Sequence, residues 1–216
     1  MKEITDVVYH FSEKEFLILL ASAQVEHLPC FAGEHASVAD ITQEEYNREL
    51  FGLAKRGMLE SRGDALYMPE KYSRIFRTIR QRKLTLSLYD PERLLYFYIG
   101  NDSMAVEAQS GAEVGAYVRI GFLEKDALSQ RIRDELPQAM VPDSVYKKGE
   151  EEQLPEDMEE CGGLTVTDGR EEPVVSWKFY EWRGKYYTGK DGEEKKTRFL
   201  TEGFYNRLME IVEERT

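Results

Sequence analysis

The sequence has almost nothing from which an active site is usually assembled. It holds two cysteines, Cys30 and Cys161, and three histidines. Two distant thiols make no disulfide framework and point to a reducing compartment. Nucleophilic catalysis normally pairs Ser, Cys or Thr with a base, usually His, and no GxSxG or triad-like spacing surrounds these three. No GxGxxG or GK[ST] loop is present to cradle a phosphate, and the Gly111/Gly115 and Gly162-Gly163 pairs follow neither pattern. The longest apolar runs, Phe16 to Ala21 and Leu94 to Ile99, are six residues each, where a membrane-spanning helix needs about twenty. The opening stretch MKEITDVVYH carries no apolar signal core. These absences lead to an expectation of a cytoplasmic chain with no membrane span, no cofactor and no catalytic motif.

A zinc site is not expected either. His27, Cys30 and His35 form H-x2-C-x4-H, but tetrahedral zinc needs a fourth donor. Only Cys161 or Asp40 would offer one, and neither sits at a spacing that marks a site. The acidic run EEEQLPEDMEE lacks the spaced carboxylates and glycine of a calcium loop.

What is present is a globular balance. Of the 216 residues, 41% are hydrophobic, 32% charged and 12% aromatic, thirteen of them tyrosine. Such a chain buries a core without metal or disulfides. Net charge is −12, with −1 in residues 1–83 and −11 in the remainder. A chain so acidic repels phosphate backbones at long range, so nucleic acid is an unfavoured partner.

Ser12 and Glu15 form a capping box ahead of an apolar helix from Phe16 to Ala23. Thr42 and Glu45 form another, followed by Tyr46, Leu50, Leu53 and Ala54 at helical spacing and by Gly57 as the left-handed terminator. Two short strands flank Arg62-Gly63-Asp64, and Pro69 opens a third helix with Tyr72, Ile75, Phe76 and Ile79 facing inward. The stretch TQEEYNRELFGLAKRGMLESRGDALYM, a helix ending in RGML and then a small hairpin, resembles a winged-helix unit. It implies architecture only, because folds host many functions. Its second helix would be the DNA reader, yet it begins Thr42-Gln43-Glu44-Glu45, and carboxylates there repel phosphates.

Beyond residue 83 the period becomes that of strands. Leu84, Leu86 and Leu88 alternate with polar residues; 94–99 and 104–109 flank Gly100-Asn101-Asp102; 116–122 alternates again, and a helix is expected over 124–136. Residues 137–163 hold three prolines and three glycines, and seven of the twelve residues 149–160 are acidic, which reads as a solvated loop. Strands at 164–168, 174–182, 185–189 and 194–199 then lead to a last helix bearing Phe204, Leu208, Ile211 and Val212. The fold expected is α+β. A winged-helix-like unit at 1–83 precedes two antiparallel meander-plus-helix halves, 84–136 and 164–216, joined by the 137–163 linker and forming one body. FLEKDALSQRIRDEL and FLTEGFYNRLMEIVEE occupy matching places, and a quasi-twofold repeat and a chance likeness both stay open.

The opening pattern FSEKEFLILLA … ELFGLAKRGML … YMPEKYSRIF, followed by two sheet-plus-helix halves, is similar to the EspG-type chaperones of type VII secretion. That resemblance implies a cytosolic chaperone that holds a helical substrate pair before export. It transfers no binding residue.

Two surfaces are candidates for partner contact. Tyr96, Tyr98, Tyr180, Trp182, Tyr186 and Tyr187 fall on expected hairpins, where aromatic rings commonly form interfaces, although each serves equally well in a core. Lys71, Arg74, Arg77 and Arg80 make the third helix the sharpest basic feature, a docking face for acidic groups or an ordinary solvated face. The leading expectation is a non-enzymatic protein-binding adaptor or chaperone. The alternatives are a winged-helix transcriptional regulator and an enzyme with a dispersed carboxylate site.

Overall fold

Capping chemistry and hydrophobic period decide the local structure. A computed structural model of the chain describes residues 9–25, 38–63, 65–91, 93–100, 104–111, 118–137, 158–170, 172–193 and 195–216. A short strand β1 (Tyr9–Phe11) leads into α1 (Glu13–Ser22), a 3₁₀ turn (Val38–Asp40) and α2 (Gln43–Lys55). The hairpin β2 (Glu60–Arg62) and β3 (Ala65–Tyr67) and then α3 (Glu70–Arg80) complete the N-terminal unit. Both capping boxes form, each with reciprocal side-chain to backbone bonds. Gly57 and Gly63 take φ of 69° and 66°, the left-handed values that end α2 and turn the hairpin.

The rest is one meander, a helix, a second meander and a helix. The strands β4 (Leu84–Tyr89), β5 (Arg93–Ile99), β6 (Met104–Gly111) and β7 (Val118–Glu124) precede α4 (Lys125–Glu135). The strands β8 (Glu159–Asp168), β9 (Pro173–Trp182), β10 (Lys185–Lys190) and β11 (Lys196–Arg198) precede α5 (Thr201–Arg215). All join a nine-stranded antiparallel sheet in the order β1-β7-β6-β5-β4-β8-β9-β10-β11. The two meanders therefore meet at their first strands, β4 and β8, with Leu86 opposite Val166, and run outward in the same order on either side.

One sheet face is closed by both C-terminal helices. Leu86, Phe97, Leu164, Val166, Trp177 and Phe179 lie beneath Leu128 and Ile132 of α4 and Phe204 and Leu208 of α5. Phe204 sits edge-on to Trp177 at 4.9 Å and to Phe179 at 5.5 Å, the geometry that aromatic quadrupoles favour. On the opposite face of β5 and β7, a second core joins Tyr96, Tyr98, Val118 and Ile120 to Phe11, Phe16, Leu53, Ile75, Phe76 and Ile79. β5 is thus buried on both faces.

The structure changes two sequence expectations. Tyr9–Phe11 supply a ninth strand, pairing with Val118–Ile120; three residues are too few for a visible alternation. The stretch expected as a loop through residue 163 is strand from Glu159 onward. Its carboxylates are accommodated because Glu160 accepts from Tyr89 Oη at 2.8 Å and meets Lys178 Nζ at 3.2 Å. Residues 138–157 of that stretch, and the Asn101-Asp102 turn, lie outside the described residues.

Candidate functional site

Among the described residues a concavity lies on the N-terminal unit, and its walls are set by polar ties between helices. Lys14 Nζ reaches Glu45 Oε1 at 2.6 Å, joining α1 to the start of α2. That hydrogen bond, with those of the Thr42 cap, holds the Glu45 carboxyl down to about 2. At the other end of α2, Arg56 pairs with the buried Glu15 carboxylate and donates to the His10 carbonyl at 3.0 Å. Both ends of α2 are therefore fixed against α1 and β1.

Between α1, α2, the hairpin and α3 this leaves a groove of about 410 Å³. Leu50, Leu66 and Met68 give it accessible apolar side chains above the buried Leu59 and Phe76, Ser22, Ser73 and Gln81 add polar surface, and Arg77 and Arg80 stand on its α3 side. Large apolar side chains are exposed on the same unit: Phe51 is 72% exposed, Leu66 of the groove lining 49% and Tyr67 48%. Residues 43–83 carry ten basic against six acidic side chains, a local excess of +4 on a chain of −12.

The four basic residues expected as one face do not share a direction. Spacing of three rotates each by about 60° around the helix relative to the last, so four of them spiral across half its surface. Lys71 Nζ lies 4.5 Å from the centre of the Tyr72 ring, and the Arg74 guanidinium 5.5 Å from that of Phe122 on β7. Arg77 pairs with Glu70 through an exposed bridge, and only Arg77 and Arg80 line the groove.

The six rings expected as a display surface are likewise divided. Tyr96 and Tyr98 stack at 5.9 Å within the second core, and Tyr98 is fully buried. Tyr187 is buried as well, and half-buried Tyr186 packs against the helix-covered core. Tyr180, with Lys196 Nζ 4.1 Å from its ring centre, and Trp182, with Arg183 at 4.6 Å, stay partly exposed. A display surface would require one sheet face to be free of helices. The N-terminal unit covers the other face of β5 and turns its tyrosines into core.

Phe51, Leu66 and Tyr67 were not singled out from the sequence. The signal was there in Phe51, which falls outside the Tyr46/Leu50/Leu53 stripe of its own helix and has no inward place. Among the described residues no group of His, Cys, Asp and Glu is placed to hold a metal ion; His27, Cys30 and His35 lie outside them. Cys161 is half-buried, and desolvation pushes its thiol above the ordinary value, away from nucleophilic reactivity. Among the described residues no helix is long and apolar enough to cross a membrane. No family model matches the chain, and no curated protein matches it.

The start of α2 exposes Glu44 and holds the partly buried capping carboxylate of Glu45 beside it. Groove-reading by this helix would bring both against phosphates. Titration of the chain with random duplex DNA at physiological salt should show no binding tighter than about 10⁻⁴ M, the weak end of non-specific affinities. Micromolar binding with a steep salt slope would contradict it.

Proposed function

We propose that this chain is a non-enzymatic protein-binding adaptor or chaperone whose contact surface is the groove of the N-terminal unit. The observation that carries this reading is the exposure of Phe51, Leu66 and Tyr67 on the unit that holds the groove, with Leu66 in the groove lining, on an otherwise charged chain. Exposed apolar patches of this kind mark interaction sites. Burying each of the three side chains in an interface contributes about 1–3 kcal/mol, since Phe51 begins largely exposed and Leu66 and Tyr67 nearly half exposed. Phe51 and Tyr67 are exposed outside the cavity lining, which favours a macromolecule over a small ligand. A cytosolic secretion chaperone is the most concrete form of this proposal, and it rests on the likeness of the opening pattern to EspG-type chaperones.

The test is affinity capture by the tagged full chain and by a Phe51→Glu variant, with mass spectrometry and stoichiometry of what is retained. A polypeptide retained at near-equal molar ratio by the native chain and lost by the variant is the expected outcome. Retention unaffected by Phe51→Glu would remove the groove from the contact, and no stoichiometric polypeptide would remove the adaptor reading.

A further inference from the structure

Building on that adaptor reading, we infer that the groove selects an acidic amphipathic helix of a partner protein. The groove is walled largely by helices and offers Leu50, Leu66 and Met68 as accessible apolar side chains, the form of surface that takes the apolar stripe of another helix at i, i+3, i+4 and i+7 spacing. Its charged side is of one sign. Arg77 and Arg80 stand one turn apart on the α3 wall, so carboxylates spaced one turn apart on the incoming helix meet both. Arg80 has no ion-pair partner among the described residues, and Arg77 holds only Glu70, across an exposed bridge that a second carboxylate can displace or join. Residues 84–216 carry −11, whereas the N-terminal unit is near neutral at −1, with its positive excess over residues 43–83, so an acidic segment is repelled least here and Arg77 and Arg80 supply the local attraction. The rest of the surface repels acidic partners, so an acidic helix that binds is directed here. A basic helix of the same apolar pattern is drawn elsewhere and meets two arginines if it enters. Recognition therefore has an apolar component shared by both kinds of helix and an electrostatic component that separates them.

The experiment uses the full chain and two stapled helical peptides about four turns long, identical in their Leu and Phe anchors and differing only in flanking Glu or Lys. Fluorescence anisotropy should show the Glu-flanked helix binding about tenfold more tightly at low salt, with the gap narrowing as salt rises. Arg77→Glu combined with Arg80→Glu alters exposed side chains and should reverse the preference; Phe51→Glu should weaken both peptides. Equal affinities would overturn the acidic selection while leaving the adaptor reading intact. If neither peptide binds although Phe51-dependent capture persists, the partner is not a helix of this kind and this inference falls alone. Binding of the Glu-flanked helix without any captured protein would leave the groove chemistry standing and remove the adaptor function. Concentration-dependent dimerisation in sedimentation, abolished by Phe51→Glu, with no peptide binding, would assign the groove to a second copy and overturn the inference.

Discussion

Tyr98→Ala is expected to lower the stability of the chain by about 3–5 kcal/mol, the range for removing a large buried ring. For a chain of this size that corresponds to a fall in Tm of roughly 10 °C. Tyr98 has no exposed surface, stacks on Tyr96, and lies where β5 meets the N-terminal unit. Removing its ring opens a cavity bordered by sheet and helices, and the backbone of a central strand cannot close it. Phe51→Glu is the contrasting variant. Phe51 is 72% exposed, so its replacement should change stability by no more than about 0.5 kcal/mol while weakening partner binding. Urea unfolding of both variants tests the pair. A Tyr98→Ala protein as stable as the native chain would mean that the N-terminal unit does not pack on the sheet, and the placement of the groove would fall with it. Equal losses in both variants would show Phe51 to be structural and would take away the support for an interaction surface.

Much of the fold was legible because the signals are local. A capping box satisfies its backbone donors within four residues, and both were read correctly. The alternation of Leu84, Leu86 and Leu88 marks one buried face of β4, and the Phe204/Leu208/Val212 stripe marks the buried side of α5. What was not legible depends on contacts between distant segments. Tyr96 and Tyr98 look like displayed rings until the N-terminal unit covers them. Glu159 and Glu160 look like loop residues until Tyr89 and Lys178 pair with the latter. The same limit applied to the groove. Its lining comes from α1, α2, the hairpin and α3, none of which shows a concavity alone, and the exposed Phe51 was masked by the better periodicity of its neighbours. The arginines were found, but their division between the groove and the β7 edge is a consequence of helix rotation that a charge count does not contain.

Gly162→Ala is the second large expected effect, and it acts on the joint between the two meanders. Gly162 and Gly163 lie on β8 at the point where that strand passes the end of β4, with Tyr89 opposite Gly163. The register of β8 against β9 shifts between Glu160 and Gly162, so the backbone there is already bent. Gly162 has a φ of 155°, a value L side chains rarely adopt, and a Cβ on it would overlap the Tyr89 carbonyl oxygen. That oxygen is backbone within the sheet, so relief requires moving a strand. The cost is expected at about 2–4 kcal/mol, combining backbone strain and overpacking. Gly163→Ala meets a different obstacle, since its Cβ would press on the Tyr89 ring, 2.7 Å from the phenol oxygen. The ring can swing aside at the loss of its bond to Glu160, and a smaller loss of about 1 kcal/mol is expected. Adding Tyr89→Ala should therefore recover much of the stability lost in Gly163→Ala and none of that lost in Gly162→Ala. Urea unfolding of the four variants reads the energies, and amide hydrogen exchange should show the earliest loss of protection in β4 and β8 of Gly162→Ala. A Gly162→Ala chain of native stability would mean that β4 and β8 do not meet in this register, and the continuous nine-stranded sheet would have to be redrawn as two smaller ones.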